Sequence, residues 1–333
     1  MRPNALVVHL LANLLGSACA FLVSAHAADD ARGANGADEP SHWTPPAIAT
    51  DRYESSPAFT PDGRELYFMS SSPSFENYRL LWTRCEDGRW AKPEPVPFAA
   101  PEPAIEADPF VTQDGKRLYF ISARHDPKNE DFDIWFVERD AQGRWGAAHR
   151  LPAPVNSPGA ELWPRVDASG TIVFGSSRDG GFGGGDIYRA IPGRDGRWRV
   201  ENFGPPVSTA AWEYEAEISR DGRVLVVVAD RGDRSHLYVY DRADSARRKS
   251  DAHGDRDARA DGDAHGYDAA HARRWVERVR VPARREVFQV GPLLSPRADR
   301  LLFAQADGTR SGELFLFDLA PRPDRTWPPG CAR

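Results

Sequence analysis

A self-similar period of 52 to 55 residues constrains this chain more than any other feature. Residues 54–70 read ESSPAFTPDGRELYFMS, 106–122 read EADPFVTQDGKRLYFIS, 161–177 read ELWPRVDASGTIVFGSS and 215–231 read EAEISRDGRVLVVVADR. A weaker fifth copy, VFQVGPLLSPRADRLLFAQ, occupies 287–305. The first four begin at Glu54, Glu106, Glu161 and Glu215, in steps of 52, 55 and 54 residues. A turn followed by tryptophan repeats in the same register, at Trp90, Trp145, Trp198, Trp275 and Trp327. Those steps are 55, 53, 77 and 52, so a single insertion accounts for the one anomaly. A unit of this size recurring in one register must stack on its neighbours to bury a core.

Each copy has the grammar of strands. A short extended stretch leads to a D-G-R/K or A-S-G turn, which favours a tight hairpin. A β-branched and aromatic run follows: Leu66 to Phe68, Leu118 to Phe120, Ile172 to Phe174, Leu225 to Val228 and Leu301 to Phe303. A third strand is expected at Leu80 to Trp82, Asp133 to Trp135, Asp186 to Tyr188, Leu237 to Val239 and Leu314 to Leu316. The G-x-W turn opens a fourth. Nothing reads as a helix of more than a turn or two. Four antiparallel strands per repeat indicate an all-β propeller whose blades bury their faces against one another.

The pattern P-x-x-[ST]-x-D-G-[KR]-x-L-Y-F-x-S, then D-I-[WY], then G-x-W, resembles the TolB-like, WD40-type (PD40) propeller repeat of bacterial envelope proteins. The resemblance covers residues 43–328, and its fifth copy departs from it, with Arg297-Ala298-Asp299 in place of the D-G turn. It implies a propeller and an envelope setting. A Tol-system role does not follow, because that role belongs to an additional N-terminal α/β domain, for which residues 28–42 leave no room.

The last copy ends just after Trp327, while residues 43–48 resemble a fourth strand standing before the first copy. These residues are expected to complete the last blade and close a five-bladed ring, hiding its edges. Six blades would require a hidden copy, and no unassigned stretch is long or apolar enough.

Upstream, Arg2 and the apolar run Leu6 to Val23 precede Ala25-His26-Ala27, the form of a secretory signal cleaved after Ala27. A membrane anchor is disfavoured by Asn13 and Gly16 within that run, and lipidation of Cys19 by Gly16 three residues before it. No later segment has the length to span a bilayer. The mature chain is thus expected in the periplasm or outside the cell, as residues 28–42 of disordered linker and a monomeric propeller over 43–333. With 43 basic against 49 acidic residues and a net charge of −6, no field attracts nucleic acid.

Two cysteines remain after cleavage, Cys85 and Cys331. An exported chain permits a disulfide, and in a closed ring their blades are neighbours. Two free buried thiols are also compatible with the spacing. Residues 243–272, rich in Asp, Arg, Ala and His, form the insertion and read as a disordered hairpin tip. His253, His265 and His271 there offer at most adventitious metal binding. The loop from Arg178 to Asp186 carries five glycines but precedes a strand, not a helix, so it does not cradle phosphate. No cofactor or metal site is indicated.

Glu54, Glu106, Glu161 and Glu215 open the inner strands and define a candidate ring at the channel mouth. A residue repeated in every blade more often serves the blade, and Asp133 and Asp186 of the D-I-W/Y motif read the same way. Off-pattern residues are better candidates for recognition: Trp163, Trp212, Glu213 and Tyr214. The expected function is therefore a non-catalytic scaffold binding a protein, peptide or envelope component. The alternative is a propeller glycosidase that uses channel-mouth carboxylates, such as Asp108 beside Glu106, with exposed Trp163 or Trp212 stacking on sugar. Propeller peptidases are excluded by the lack of a G-x-S-x-G elbow, and H-E-x-x-H and Walker sequences are absent too.

Overall fold

The repeat turn fixes the inner hairpin of each blade. In the first copy Thr60 Oγ1 donates to Asp62 Oδ1 at 2.6 Å, the Arg64 amide donates to the same oxygen, and the Glu65 amide donates to Thr60 Oγ1. Gly63 between them stands at φ 67°. Thr112, Asp114 and Gly115 repeat the set, as do Ser219, Asp221 and Gly222. The fifth copy keeps the turn without the D-G pair. Ser295 Oγ donates to Asp299 Oδ1 and accepts the Asp299 and Arg300 amides, while Ala298 takes φ 52°. A left-handed non-glycine residue costs about 1–2 kcal/mol, which the Ser–Asp pair offsets.

The computed structural model describes residues 39–72, 76–232, 234–243, 275–283, 287–305 and 313–331. The expected signal peptide 1–27, the linker up to residue 38, and the insertion beyond residue 243 with its three histidines lie outside the described residues. All described elements are strands. The chain begins with β1 (Ser41–His42). Blade 1 holds β2 (Tyr53–Phe59), β3 (Glu65–Ser71) and β4 (Arg79–Glu86), with an outer strand in two pieces, β5 (Arg89–Trp90) and β6 (Glu94–Pro95). Blade 2 is β7 (Glu106–Val111), β8 (Arg117–Ser122), β9 (Asp133–Glu138) and β10 (His149–Arg150). Blade 3 is β11 (Glu161–Val166), β12 (Ile172–Ser176), β13 (Asp186–Pro192) and β14 (Trp198–Asn202). Blade 4 is β15 (Trp212–Ile218), β16 (Val224–Asp230), β17 (Ser235–Arg242) and β18 (Trp275–Arg280). Blade 5 is β19 (Gln289–Leu294), β20 (Arg300–Gln305) and β21 (Glu313–Asp318). Every pairing within a blade is antiparallel, and the first strand of each blade contacts those of both neighbours around the ring.

Closure comes from the N-terminus, slightly earlier than the spacing suggests. Ser41 and His42 pair with Leu316 and Phe315 on β21, and the Trp43 amide donates to Leu314 O. Residues 45–48 turn away instead of continuing the strand, with the Ile48 amide donating to Pro45 O. Proline at 45 and 46 removes two ladder donors, which is why the pairing stops at Trp43. The Leu314 amide bonds Thr44 Oγ1, and Cys85 on β4 is bridged to Cys331, with Cα atoms 5.2 Å apart. β1 covers the open edge of blade 5, and the disulfide crosses the same seam.

Side chains alternate along each strand, so one strand feeds two interfaces. Leu118 and Phe120 pack toward blade 1 with Tyr67, Leu80 and Phe98, whereas Tyr119 packs toward blade 3 with Ile172, Phe174 and Tyr188. The tryptophans after the turns help seal these seams. Trp145 of blade 2 donates from Nε1 to Tyr67 OH of blade 1 at 2.9 Å, and buried Trp275 packs on Phe203.

Candidate functional site

The repeated glutamates are committed to their own blades. Glu161, fully buried, accepts from the Ser157 amide and hydroxyl, from Ser176 Oγ at 2.9 Å and from Arg178 Nη2 at 3.0 Å. Glu106 accepts from the Ala100 amide, Ser122 Oγ and Arg124. Glu54 is bonded by Thr50 Oγ1. In each case the carboxylate ties the loop arriving from the previous blade to the start of the inner strand. Burial pushes Glu54 and Glu161 up to about 7, against the hydrogen bonds and, for Glu161, the Arg178 guanidinium.

Blade 4 corrects the composition of the expected ring. Glu54, Glu106 and Glu161 pair across the hairpin with Ser70, Ser122 and Ser176, and the residue in that register on β15 is Glu213, opposite Ala229. Glu213 carries the same bonds, accepting the Thr209 amide and hydroxyl, with Arg231 Nε at 3.4 Å. Glu215 lies two residues further in. In blade 5 the position is Gln289, opposite Gln305. The legible signal was E-x-x-P: Glu54, Glu106 and Glu161, like Gln289, all stand three residues before a proline, and Glu213 stands three before Ala216.

That proline shapes the channel. Lacking an amide hydrogen, it cannot donate to the ladder; the four inner strands that carry it bulge there, and β15 bulges at the same level with Ala216 in its place. The residue just before the proline turns left-handed: Ser56 at φ 56°, Asp108 at 56°, Trp163 at 55° and Gly291 at 70°. Bulges re-aim side chains, and here one structural position carries Ser56, Asp108, Trp163, Glu215 and Gly291 in the five blades. The residues two further on are Ala58, Phe110, Arg165, Glu217 and Leu293. In these layers the fivefold likeness of the blades ends.

A charged network spans them. Fully buried Arg165 donates from Nε to Glu217 Oε2 at 2.6 Å, and its guanidinium lies 3.8 Å from the Trp163 ring centroid. Asp108 accepts Ser56 Oγ at 3.1 Å and the Trp163 amide at 3.2 Å, joining three blades. Glu215 accepts the Gly291 amide of blade 5 at 2.7 Å. Burial lifts Glu215 to about 8, aided by Asp108 and opposed by the Gly291 amide and Arg165. Burial also lifts Glu217 to about 7 and Asp108 to about 6, with Arg165 opposing both. One guanidinium among three carboxyls cannot neutralise them all, so protons are retained.

The D-G turns surround the opposite mouth of the channel from the repeated glutamates. A cavity of about 490 Å³ opens there, lined by the last residues of all five inner strands, including half-buried Phe59, Phe110, Val166 and Ile218. Its acidic groups are spoken for: Glu217 by Arg165, Asp62 by Thr60, Asp299 by Ser295 and Asp324 by Thr326. Sequence reasoning placed the mouth only at the glutamate end, and missed this one because its apolar residues read as ordinary strand core.

The remaining expected site residues are dispersed. Trp163 is fully buried, not exposed, and plugs the channel. Half-buried Trp212 lies on the glycine-rich loop: a Cβ on Gly184 would come within 2.9 Å of its ring, and one on Gly183 within 2.0 Å of Ala211 O. Tyr214 is buried and donates to Ser235 Oγ at 2.6 Å. Asp186 accepts the Phe182 amide at 2.8 Å, closing the glycine-rich loop.

No protein-family model and no curated protein matches the sequence. Among solved structures the fold is similar to TolB from Acinetobacter baumannii, with TM-score 0.47 and 15% identity over 84% of this chain and 57% of that one. The chain therefore spans little more than half of TolB. An α-L-arabinofuranosidase from Lactobacillus brevis gives TM-score 0.49 and 14% identity over 82% of this chain and 91% of that one. A periplasmic gluconolactonase from Pseudomonas aeruginosa gives 0.41 and 14%, over 75% and 64%. At such distances activity is not read from the likeness.

Proposed function

We propose that this protein is a non-catalytic binding scaffold of the bacterial envelope, exported through its N-terminal signal, and that a segment of a partner protein enters the turn-side mouth of the channel. The observation that carries the reading is the mouth itself: half-buried apolar side chains from four blades surround a cavity whose carboxylates are all bonded. An apolar side chain of a partner gains by displacing water there, and the repeated glutamates at the far end are engaged in their own blades. A photo-crosslinker at Ile218 is expected to capture one envelope protein saturably, while the same group at Trp212 on the far side does not. Equal capture from both positions, or none, would sink the proposal.

A glycosidase reading keeps one support, the asymmetric Asp108–Glu215 pair beside Trp163. A glycosidase needs a free acid and a second carboxylate about 5–9 Å apart across a sugar-sized space. Buried Trp163 of blade 3 reaches Gly291 of blade 5, where a Cβ would lie 3.5 Å from its ring, and so occupies that level. Turnover of chromogenic furanosides that vanishes in Asp108→Asn would restore it.

A further inference from the structure

Blade 2 departs from the other blades at its glutamate-end loop. The third-strand residues that face Ser70, Ser122, Ser176, Ala229 and Gln305 are Arg79, Asp133, Asp186, His236 and Glu313. Only in blade 2, among the described residues, does that residue join a second carboxylate and an imidazole. His125, Asp131 and Asp133 offer one ligand atom each, all within 4.8 Å of one another. His125 Nε2 lies 2.8 Å from Asp133 Oδ2 and 3.2 Å from Asp131 Oδ2.

Those separations match donors sharing one ion. Bonds of about 2.0–2.2 Å put neighbouring ligand atoms roughly 2.8–3.1 Å apart at octahedral angles and roughly 3.3–3.6 Å apart at tetrahedral ones, and both His125 separations fall within that span. Other bonds hold the frame. Asp126 accepts the Lys128, Glu130 and Asp131 amides, Asn129 Nδ2 donates to Pro103 O, and Asp133 is paired in register with Ser122. A separate observation points to a missing partner. The Asp133 side chain is wholly buried, and its Oδ1, with Asp131 Oδ1 and His125 Nδ1, makes no hydrogen bond. Buried carboxylate oxygens left unbonded are costly, and a cation with bound water satisfies them.

We infer that His125, Asp131 and Asp133 form a binding site for a divalent first-row transition ion, with Zn²⁺ the best fit to one imidazole and two carboxylates. Ca²⁺ would need six to eight oxygens, more than the cluster holds. Three protein ligands leave coordination open to water or to a group from outside. Arg150, also paired with Asp133, is the competing cation, and its side chain is 44% exposed.

The test is Zn²⁺ titration of the chelator-stripped full-length mature protein against a competing chromophoric chelator. One equivalent is expected to bind, and His125→Gln and Asp131→Asn each weaken it by at least about tenfold. Arg150→Gln is expected to tighten binding severalfold, which a merely structural ion pair would not do. Asp131 is 30% exposed, so its substitution reads binding even where His125→Gln is poorly folded. The inference is overturned if no equivalent binds, or if binding survives both substitutions and disappears in His253→Ala, His265→Ala, His271→Ala.

Discussion

Arg165 shows how much one residue can hold. It sits without exposure among Asp108, Glu215 and Glu217 and opposes the rise that burial imposes on all three. Breaking a buried ion pair by removing one partner costs about 3–5 kcal/mol. Arg165→Met should therefore lower stability by that order in urea unfolding, and Glu217→Gln by clearly less, since neutral Gln still bonds Arg165. The raised carboxyls also set a pH dependence. An acid whose folded pKa is raised keeps its proton in the fold after the unfolded chain has released it, so stability falls as pH rises. For Glu215, Glu217, Glu54 and Glu161 the window runs from the ordinary 4.5 to about 7–8. The urea midpoint should fall from pH 5 to pH 8, and Glu215→Gln should flatten part of that fall.

At the scale of elements, the glutamate at the head of each inner strand acts as a clasp. Glu161→Gln keeps the shape but offers one acceptor oxygen where Ser157, Ser176 and Arg178 bond two. A loss of about 1–3 kcal/mol is expected, with faster hydrogen exchange confined to the loop before β11. The hairpins were legible because the D-G turn and the β-branched run depend on local chemistry. The strand register was not, at one place. Glu215 aligns with Glu54 by type, but counting back nine residues from the turn glycine, as from Gly63 to Glu54, leads from Gly222 to Glu213. Ala216 interrupts the proline spacing in blade 4. The metal-ligand cluster was equally hidden, since His125 joins Asp133 only when β8 and β9 pair.

The whole ring is held shut at one seam. β1 bonds β21, His42 Nε2 lies 2.8 Å from Glu313, and the Cys85–Cys331 bridge spans a sequence separation of 246. A crosslink over so long a loop restricts the unfolded chain strongly, and its loss costs about 2–5 kcal/mol. Cys85→Ser with Cys331→Ser should lower stability by that amount and raise proteolysis first at the blade 1–blade 5 seam. Five blades and their closure could be read from the repeat, because stacking forces it; the bonded glutamates and the apolar mouth could not, because both depend on which end of the channel a residue reaches.

The most direct test compares two variants in the Ile218 crosslinking assay, Val166→Arg at the turn-side mouth and Glu106→Gln at the glutamate end, each with its unfolding curve. Val166→Arg is expected to abolish capture of the partner at nearly unchanged stability, and Glu106→Gln to lower stability while capture persists in the folded protein. Capture lost in Glu106→Gln and retained in Val166→Arg would place recognition at the glutamate end and contradict the assignment of the turn-side mouth.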